Sequence, residues 1–243
     1  NAFYDGSSIN FYAEGNDCHA LAKMADVVYH EYGHGINDNF YQSLGSSFNN
    51  GGMNEGYADF WGFSITLNPV LAEGWTISNP DSYIRRYDTQ RKVYPADLVG
   101  EVHADGEIIA GAWWDTYVLL GNDMPLTMAL FAEAFPGLQA QVANGNEGVA
   151  FRDVLIDVLQ ADDDDGNLIN GTPHGAAIGE AFRLHGITLL TGFDVQHAAV
   201  AFAPVTQGIT IEAQATITGI FQDYFQGVRL HYRLNQGPWE SML

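Results

Sequence analysis

The spacing of apolar residues predicts that most of the chain is helical. Over residues 19–36, apolar positions recur at intervals of three and four and form one stripe, at Leu21, Met24, Ala25, Val28 and Tyr32. This period is typical of an amphipathic helix. His30 and His34 fall on a different stripe of that helix, together with Asp26. The preceding segment SINFYA, residues 8–13, predicts a short strand.

Further helices follow from the same periodicity and from helix-end signals. They cover about residues 53–66, 106–120, 125–135 and 147–160. A last helix is expected to open with Thr172 as N-cap and Pro173 at its first position, and to close at Gly186. Residues 68–102 show no regular hydrophobic period, and prolines interrupt this segment.

After about residue 192 the pattern changes to one of period two. The segments GITIEAQATITGI and GVRLHYRLNQGPWESM alternate apolar and polar residues and are rich in Thr, Ile and Val. They predict the opening strands of a β-sandwich. The expected fold class is therefore α+β, with a mainly helical core over residues 1–190 and a truncated β-sandwich segment over 193–243. Because two to four strands make a poor core, we expect the sequence to be a fragment at this end.

Composition narrows the class of protein. A chain of 243 residues with 47% hydrophobic and 13% aromatic residues can bury a sizeable core and is not disordered. No apolar run of about 18 residues predicts a membrane span. Cys18 is the only cysteine, so an internal disulfide is excluded. A small core residue is the favoured interpretation of Cys18, over a free thiol or the partner of a cysteine outside the chain.

The charge balance is strongly acidic. The chain has 30 acidic and 9 basic residues, a formal net charge of −21 and a pI near 4.3. Such a surface repels phosphate backbones and anionic lipid, which argues against nucleic-acid and membrane partners. It suits a secreted, extracellular protein and supplies carboxylates for calcium; the alternative is that it serves solubility alone.

The segment HEYGH has the spacing of a zinc site. His30 and His34, four apart on a helix, share one face and can aim at one ion. A catalytic zinc takes three protein ligands and a water, so a third ligand is needed. Glu55 begins an apolar helix, where a charge is costly unless it is paired or bound to metal. Asp59 lies one turn further on, placed to accept a proton from the far nitrogen of a ligand histidine.

These segments together resemble a known family. HEYGH followed by NEGYAD is similar to the gluzincin metallopeptidases of the thermolysin and fungalysin group. NAFYDGSSINFY resembles the segment before their zinc helix, which implies that Asn1 and Ala2 bind substrate backbone. GEVHADGEIIAGAWWD resembles the segment that carries their oxyanion histidine, which implies that role for His103. The resemblance covers residues 1 to about 190.

The resemblance implies a zinc-dependent endopeptidase. Its metal ligands would be His30, His34 and Glu55, with Glu31 as general base for a metal-activated water. Polypeptide substrates would add along the edge strand, and a monomer is expected. The family also has a β-rich lobe before the Asn-Ala strand, which this sequence lacks.

The sequence departs from the family at several places. Tyr41 is nearest to the family's oxyanion tyrosine but is out of register. Trp75 occupies the place of the arginine that contacts substrate, and Arg85 or Arg86 could substitute for it. Asp26 matches a calcium-binding aspartate whose partner carboxylates are absent.

Two features leave alternatives open. The run ADDDDGNLINGTPH does not fit an EF-hand; it is either a calcium loop using Asp163, Asp165 and Asn167 or a solvated turn before a helix. The remaining histidines have no ligand spacing and indicate surface or capping positions: His19, His174, His185, His197 and His231. The rival to the peptidase is a non-catalytic surface or adhesion protein with a structural metal and a partner-binding β region.

Overall fold

The structure is a computed structural model, and it describes residues 2–189, 192–197, 210–218, 230–233, 237–238 and 240–242. The chain divides into two compact units. One comprises Asn1–Leu168 and Thr172–Thr188, and the other comprises Ile169–Gly171 and Leu189–Leu243. The predicted mixed α+β class is confirmed. Among the described residues, no helix combines the length and apolarity that a bilayer crossing requires.

The first unit is mainly helical. Its helices are α1 (Ala25–Ser43), α2 (Gly51–Thr66), α3 (Val102–Leu119), α4 (Met124–Ala134), α5 (Glu147–Asp162) and α6 (Gly175–Leu184). Its strands form two antiparallel pairs, β1 (Ala2–Tyr4) with β2 (Ile9–Phe11) and β3 (Val70–Leu71) with β4 (Arg85–Arg86). Single 3-10 turns occur at Leu21–Lys23 and Leu138–Gln141.

The second unit contributes two strand pairs. β5 (Gly192–His197) pairs antiparallel with β6 (Ala213–Thr218), and β7 (Leu230–Tyr232) pairs antiparallel with β8 (Glu240–Met242). Strands predicted from the period-two pattern are thus present where the structure describes those segments. A further 3-10 turn covers Leu168–Asn170.

Helix α2 is the centre of the first unit. The side chain of Asn50 caps it by accepting the Met53 N–H at 2.9 Å. It packs on α1 and on α3, and Phe60 on its buried side stacks on Phe131 of α4 with ring centroids 3.8 Å apart. Trp113 of α3 packs edge-on against Phe131, and all three rings are fully buried. This aromatic cluster fixes the helix that carries the predicted acidic residues.

Glycines let α2 and α3 touch through their backbones. A Cβ on Gly56 would lie 2.7 Å from the Gly106 carbonyl oxygen and 2.3 Å from a methyl of Ile109. A Cβ on Gly106 would in turn lie 2.7 Å from the Gly52 carbonyl oxygen. Side chains larger than hydrogen at these positions would push the helices apart.

The apolar stripe predicted for the first helix is confirmed only at its start, where Leu21 and Met24 pack in a hydrophobic cluster. Helix α1 runs from Ala25 to Ser43 rather than over 19–36, and Tyr32 of the predicted stripe is 62% exposed. The buried positions of α1 are instead Val27, His30, Glu31, Gly33, Asn37 and Tyr41. A polar face can be buried when its groups find partners, and the partners of His30 and Asn37 lie on α2.

Other helix boundaries also differ from the prediction. Helix α3 begins at Val102, because the Glu101 carboxylate caps it by accepting the Ala104 N–H at 2.9 Å. Thr172 is not an N-cap: α6 starts at Gly175, and the Thr172 hydroxyl donates to Asp162 at 2.6 Å.

Of the two positions predicted for His185, surface or capping, the structure shows the second: His185 is the C-cap residue of α6 and is only 1% exposed. Its Nδ1 lies 2.8 Å from the Lys92 carbonyl oxygen and its Nε2 lies 3.1 Å from an Asp115 carboxylate oxygen. His185 therefore ties α6 to α3 and to the loop before α3.

Two acceptor oxygens face each other beside Gly137. The fully buried Gln139 amide donates to the Ala134 carbonyl at 3.1 Å, which fixes its orientation. Gln139 Oε1 and Asp157 Oδ2 then lie 2.0 and 1.9 Å from the point that a Gly137 Cβ would occupy. Neither oxygen has a hydrogen-bond partner among the described residues. Burial, with a contribution from the Asp153 carboxylate, raises the pKa of Asp157 to about 6.

This arrangement predicts a pH-dependent stability. The pKa of Asp157 is higher in the folded than in the unfolded chain, so the folded state binds more protons between about pH 4 and pH 6, and stability falls as pH rises through that window. Asp157→Asn removes the charge and can donate to Gln139. We expect the variant to unfold at higher urea than wild type at about pH 7, with the difference shrinking toward about pH 4. Exposed Glu133→Gln is the control, and a pH-independent difference for Asp157→Asn would contradict the prediction.

Candidate metal centre

The three predicted ligands converge between α1 and α2. His30 and His34 lie one turn apart on α1, with their Nε2 atoms 3.1 Å from each other. Glu55 approaches from α2, with one carboxylate oxygen 3.4 Å from His30 Nε2 and the other 3.5 Å from His34 Nε2. All three ligand atoms lie within 4.8 Å of one another, so this group could bind a metal ion.

The spacing of these atoms fits tetrahedral coordination. Ligands at the usual distances from zinc, about 2.0–2.1 Å, lie about 3.4 Å from each other at the corners of a tetrahedron. The two Nε2 atoms are 3.1 Å apart, and each has a different Glu55 oxygen at 3.4 or 3.5 Å, which is close to that edge length. The Glu55 side chain is only 12% exposed, and its buried Oε2 accepts no hydrogen bond from the described residues. A buried carboxylate oxygen without a donor is suited to binding a cation.

Asp59 lies against the first histidine. His30 Nδ1 lies 2.6 Å from Asp59 Oδ1, which directs Nε2 at Glu55 and His34. The Asp59 carboxylate, 1% exposed, also accepts from Arg85 Nη2 at 2.7 Å and from the Tyr87 hydroxyl. Arg85 and Tyr87 therefore complete the support of Asp59.

Electrostatics at this end of the site favours a cation. Burial alone would raise the pKa of Asp59, but Arg85 and His30 hold it below its usual range. Burial alone would lower the pKa of His30, but the Asp59 carboxylate outweighs it and raises that pKa to about 9. The same negative charge that stabilises a proton on His30 stabilises a metal ion beside it.

The second histidine is held by an amide network that the sequence did not reveal. His34 Nδ1 lies 3.1 Å from Asn54 Oδ1, which also accepts from Asn37 Nδ2 at 2.7 Å. Trp61 Nε1 donates to Asn37 Oδ1 at 3.1 Å. The signal available in the sequence was Asn37 on the histidine face of α1 and Asn54 directly before Glu55. Burial and the neighbouring His30 lower the pKa of His34.

Glu31 and His103 lie beside the three ligands. Glu31 is 5% exposed, and burial raises its pKa. His103 lies in the first turn of α3, with Nε2 3.4 Å from a Glu55 oxygen. Its Nδ1 lies 2.6 Å from Glu101 Oε1, and this hydrogen bond lowers the pKa of Glu101 to about 2. The sequence did not identify Glu101, although an acid two residues before the histidine, at a helix start, was a usable signal.

A cleft of about 370 Å³ opens onto the centre. His30, His34 and Glu55 form its floor, and Glu31 and His103 also line it. One wall is strand β1, which includes the predicted substrate-binding residue Ala2. Asn1, the other predicted substrate-binding residue, lies outside the described residues. The structure thus gathers the predicted catalytic and ligand residues around one opening.

Other residues singled out in the sequence lie elsewhere. Tyr41 is buried and donates to the Phe135 carbonyl, so its hydroxyl does not reach the cleft. Arg86 pairs with Asp88 at 2.6 Å. Asp26 accepts the Ala72 N–H at 2.6 Å and so anchors α1 to the loop after β3.

The acidic run is a turn with internal hydrogen bonds. Asp163 accepts the Asp165 N–H at 3.3 Å, and Asp165 accepts the Asn167 N–H at 2.9 Å. The carboxylates of Asp163, Asp164 and Asp165 lie within 4.8 Å of one another. Calcium binding by Asp163, Asp165 and Asn167 stays a prediction.

Comparison with known proteins gives no independent guide to function. No protein-family model matches the sequence, and no curated protein matches it. Function is therefore inferred from the geometry of the centre itself.

The geometry predicts that metal binding depends on Glu55. We expect about one zinc ion per wild-type chain, because three ligand atoms are already in place. Glu55→Gln should weaken zinc by more than about 100-fold, since residues that only orient a ligand cost about 10–100-fold. Competition with a chromophoric chelator measures this, with Glu133→Gln as the charge-matched control. Equal zinc affinity in the two variants would remove Glu55 from the site.

Proposed function

We propose that this chain is the catalytic part of a secreted zinc-dependent endopeptidase of the gluzincin type. The observation that carries the proposal is the triangle of His30, His34 and Glu55, open to a cleft that Glu31 also lines. The strongly acidic composition supports an extracellular setting. We further propose that α1 and α2 form a zincin core and that β5 to β8 belong to a β-sandwich.

Zinc suits this donor set better than a hard cation does. Two imidazole nitrogens and one carboxylate are usual ligands of catalytic zinc, whereas calcium takes six to eight oxygens. These three residues would hold a zinc ion, which would supply Lewis acidity toward water and toward a peptide carbonyl. Binding would also give the buried Glu55 Oε2 the partner that it lacks among the described residues.

Glu31 is the general base. It follows His30 directly on α1 and lines the cleft without belonging to the ligand triangle. From there its carboxylate takes a proton from the attacking water and delivers it to the leaving amine. Its low exposure keeps bulk water from competing for that proton.

His103 stabilises the negative oxygen that develops on the substrate carbonyl. Nδ1 of its ring lies 2.6 Å from Glu101 Oε1, which fixes the orientation of the ring. Nε2 is then directed toward Glu55 and the cleft, where it can donate to the oxyanion. Glu101 acts through His103 and is a positioning residue.

The substrate is an extended polypeptide. Strand β1 belongs to a two-stranded sheet and lines the cleft, so a peptide can lie along it and offer its backbone for pairing. Ala2 would contribute such contacts, and the same role for Asn1 stays a prediction.

The rival function, a non-catalytic protein with a structural metal, requires a closed site. Structural zinc sites have four protein ligands, and catalytic ones keep a position open. Among the described residues, the group at this centre has three members and adjoins the cleft. This favours the enzyme.

Glu31→Gln tests the proposed base. We expect zinc content to be kept while kcat for peptide hydrolysis falls by about 10²–10⁴-fold, the usual contribution of general-base catalysis. Glu133→Gln, exposed on α4, should behave as wild type. Turnover by Glu31→Gln at the wild-type rate would exclude Glu31 from the mechanism.

Glu101→Gln tests the support of His103. Loss of the charged partner should lower kcat by about tenfold or more, while His103→Ala should lower it by about 10²–10³-fold. Zinc affinity should be unchanged in both variants, because neither residue is a ligand. If Glu101→Gln changed KM alone, its proposed action through His103 would be wrong.

A further inference from the structure

One carboxylate in the cleft has no part in the proposed chemistry. Asp38 lies on α1 one turn after His34 and lines the same cleft. Residues four apart on a helix have their Cβ atoms about 5–6 Å from each other. The Asp38 side chain, which is partly buried, therefore lies one helical turn from the metal centre.

Asp38 has neither the cationic partners of Glu55 and Glu101 nor the local hydrogen bonds of Asp5. Glu55 faces two histidines, Glu101 is bonded to His103, and the carboxylate of Asp5 accepts bonds from serine and asparagine groups of its own turn. Within the described part of the chain, no lysine, arginine or histidine forms an ion pair with Asp38, and no lysine or arginine lines the cleft.

The surroundings of Asp38 suit a long side chain that ends in a cation. The ring of Tyr4, on β1, packs against α1 at Gly35, where an added Cβ would lie 3.3 Å from the ring. Tyr4 lines the same cleft as His34 and Asp38 and supplies an aromatic surface there. Lysine and arginine lay their apolar stems along such surfaces and place the charge beyond them.

We propose that Asp38 selects peptide substrates that carry a cationic group within reach of the cleft. This inference rests on the proposed peptidase function and adds its substrate class. A partly buried carboxylate without a partner has lost hydration without compensation, and an arriving cation restores that compensation. The cation can be a lysine or arginine side chain or the free α-ammonium group of the peptide.

Three series of peptides distinguish a cationic side chain from a free α-ammonium group. One series is N-acetylated and neutral except for a single lysine moved along the sequence, a second has norleucine in its place, and a third has a free amino terminus and no lysine. The readout is the ratio of kcat/KM for each cationic peptide to that of its neutral counterpart. Asp38→Asn is compared with wild type and with Asp81→Asn, an exposed aspartate outside the cleft that removes the same net charge.

We expect wild type to prefer the best-placed cation by at least about tenfold, Asp81→Asn to keep this ratio, and Asp38→Asn to lose it. Preference for the acetylated lysine peptides assigns a side-chain pocket, and preference for the free amine assigns recognition of the amino terminus. Absence of any preference in wild type, or the same preference in Asp38→Asn, would overturn the inference.

A failure of the proposed peptidase function can be distinguished from a failure of the inference about Asp38. If zinc-loaded wild type cleaves none of the peptides, the proposed function is wrong. Calorimetry then measures the affinities of wild type and Asp38→Asn for the lysine and norleucine peptides. These affinities test the selection of a cation without requiring cleavage. An affinity difference that disappears in Asp38→Asn supports the inference, and equal affinities reject it.

Discussion

The structure depends on the compensation of negative charge inside its central helix. Helix α2 is packed on both sides, yet it carries Glu55 at 12% side-chain exposure and Asp59 at 1% residue exposure. Carboxylates in such surroundings are strongly unfavourable unless they are paired. Asp59 is paired with His30 and Arg85. The partners that neutralise the core are the same groups that orient the metal ligands, so fold and site form one network.

This network explains how α1 can bury a polar face. A Cβ on Gly33 would lie 2.8 Å from the Trp61 side chain, and a Cβ on Gly62 would lie 3.0 Å from the Asp26 carbonyl oxygen. The helices approach closely enough for histidine and asparagine on α1 to reach their partners on α2. Close packing thus replaces the apolar stripe that usually drives such contacts.

The sequence was most informative where the geometry is local. The i, i+4 spacing of His30 and His34, and of Glu55 and Asp59, depends only on helical pitch and predicted how these side chains group. It could not show that Arg85, on a two-residue strand, would meet Asp59, because that contact depends on how a long irregular segment folds back. The stripe prediction failed within α1 because hydrophobic periodicity identifies buried apolar positions only. It cannot show that polar residues such as His30 and Asn37 will be buried against partners on another helix.

The glycine contact between α2 and α3 has a consequence for the site. Gly56 follows Glu55, and Gly106 lies one turn after His103, so the backbone contact adjoins the proposed metal ligand and the proposed oxyanion donor. A Cβ on Gly106 would lie 2.9 Å from the Cβ of Glu55. The spacing of these two groups is therefore set by the contact radii of main-chain atoms, which cannot be adjusted by a change of rotamer. A single methyl group added at Gly106 would push α2 and α3 apart. The distance between Glu55 and His103 across the cleft would then change, although both side chains would still be present.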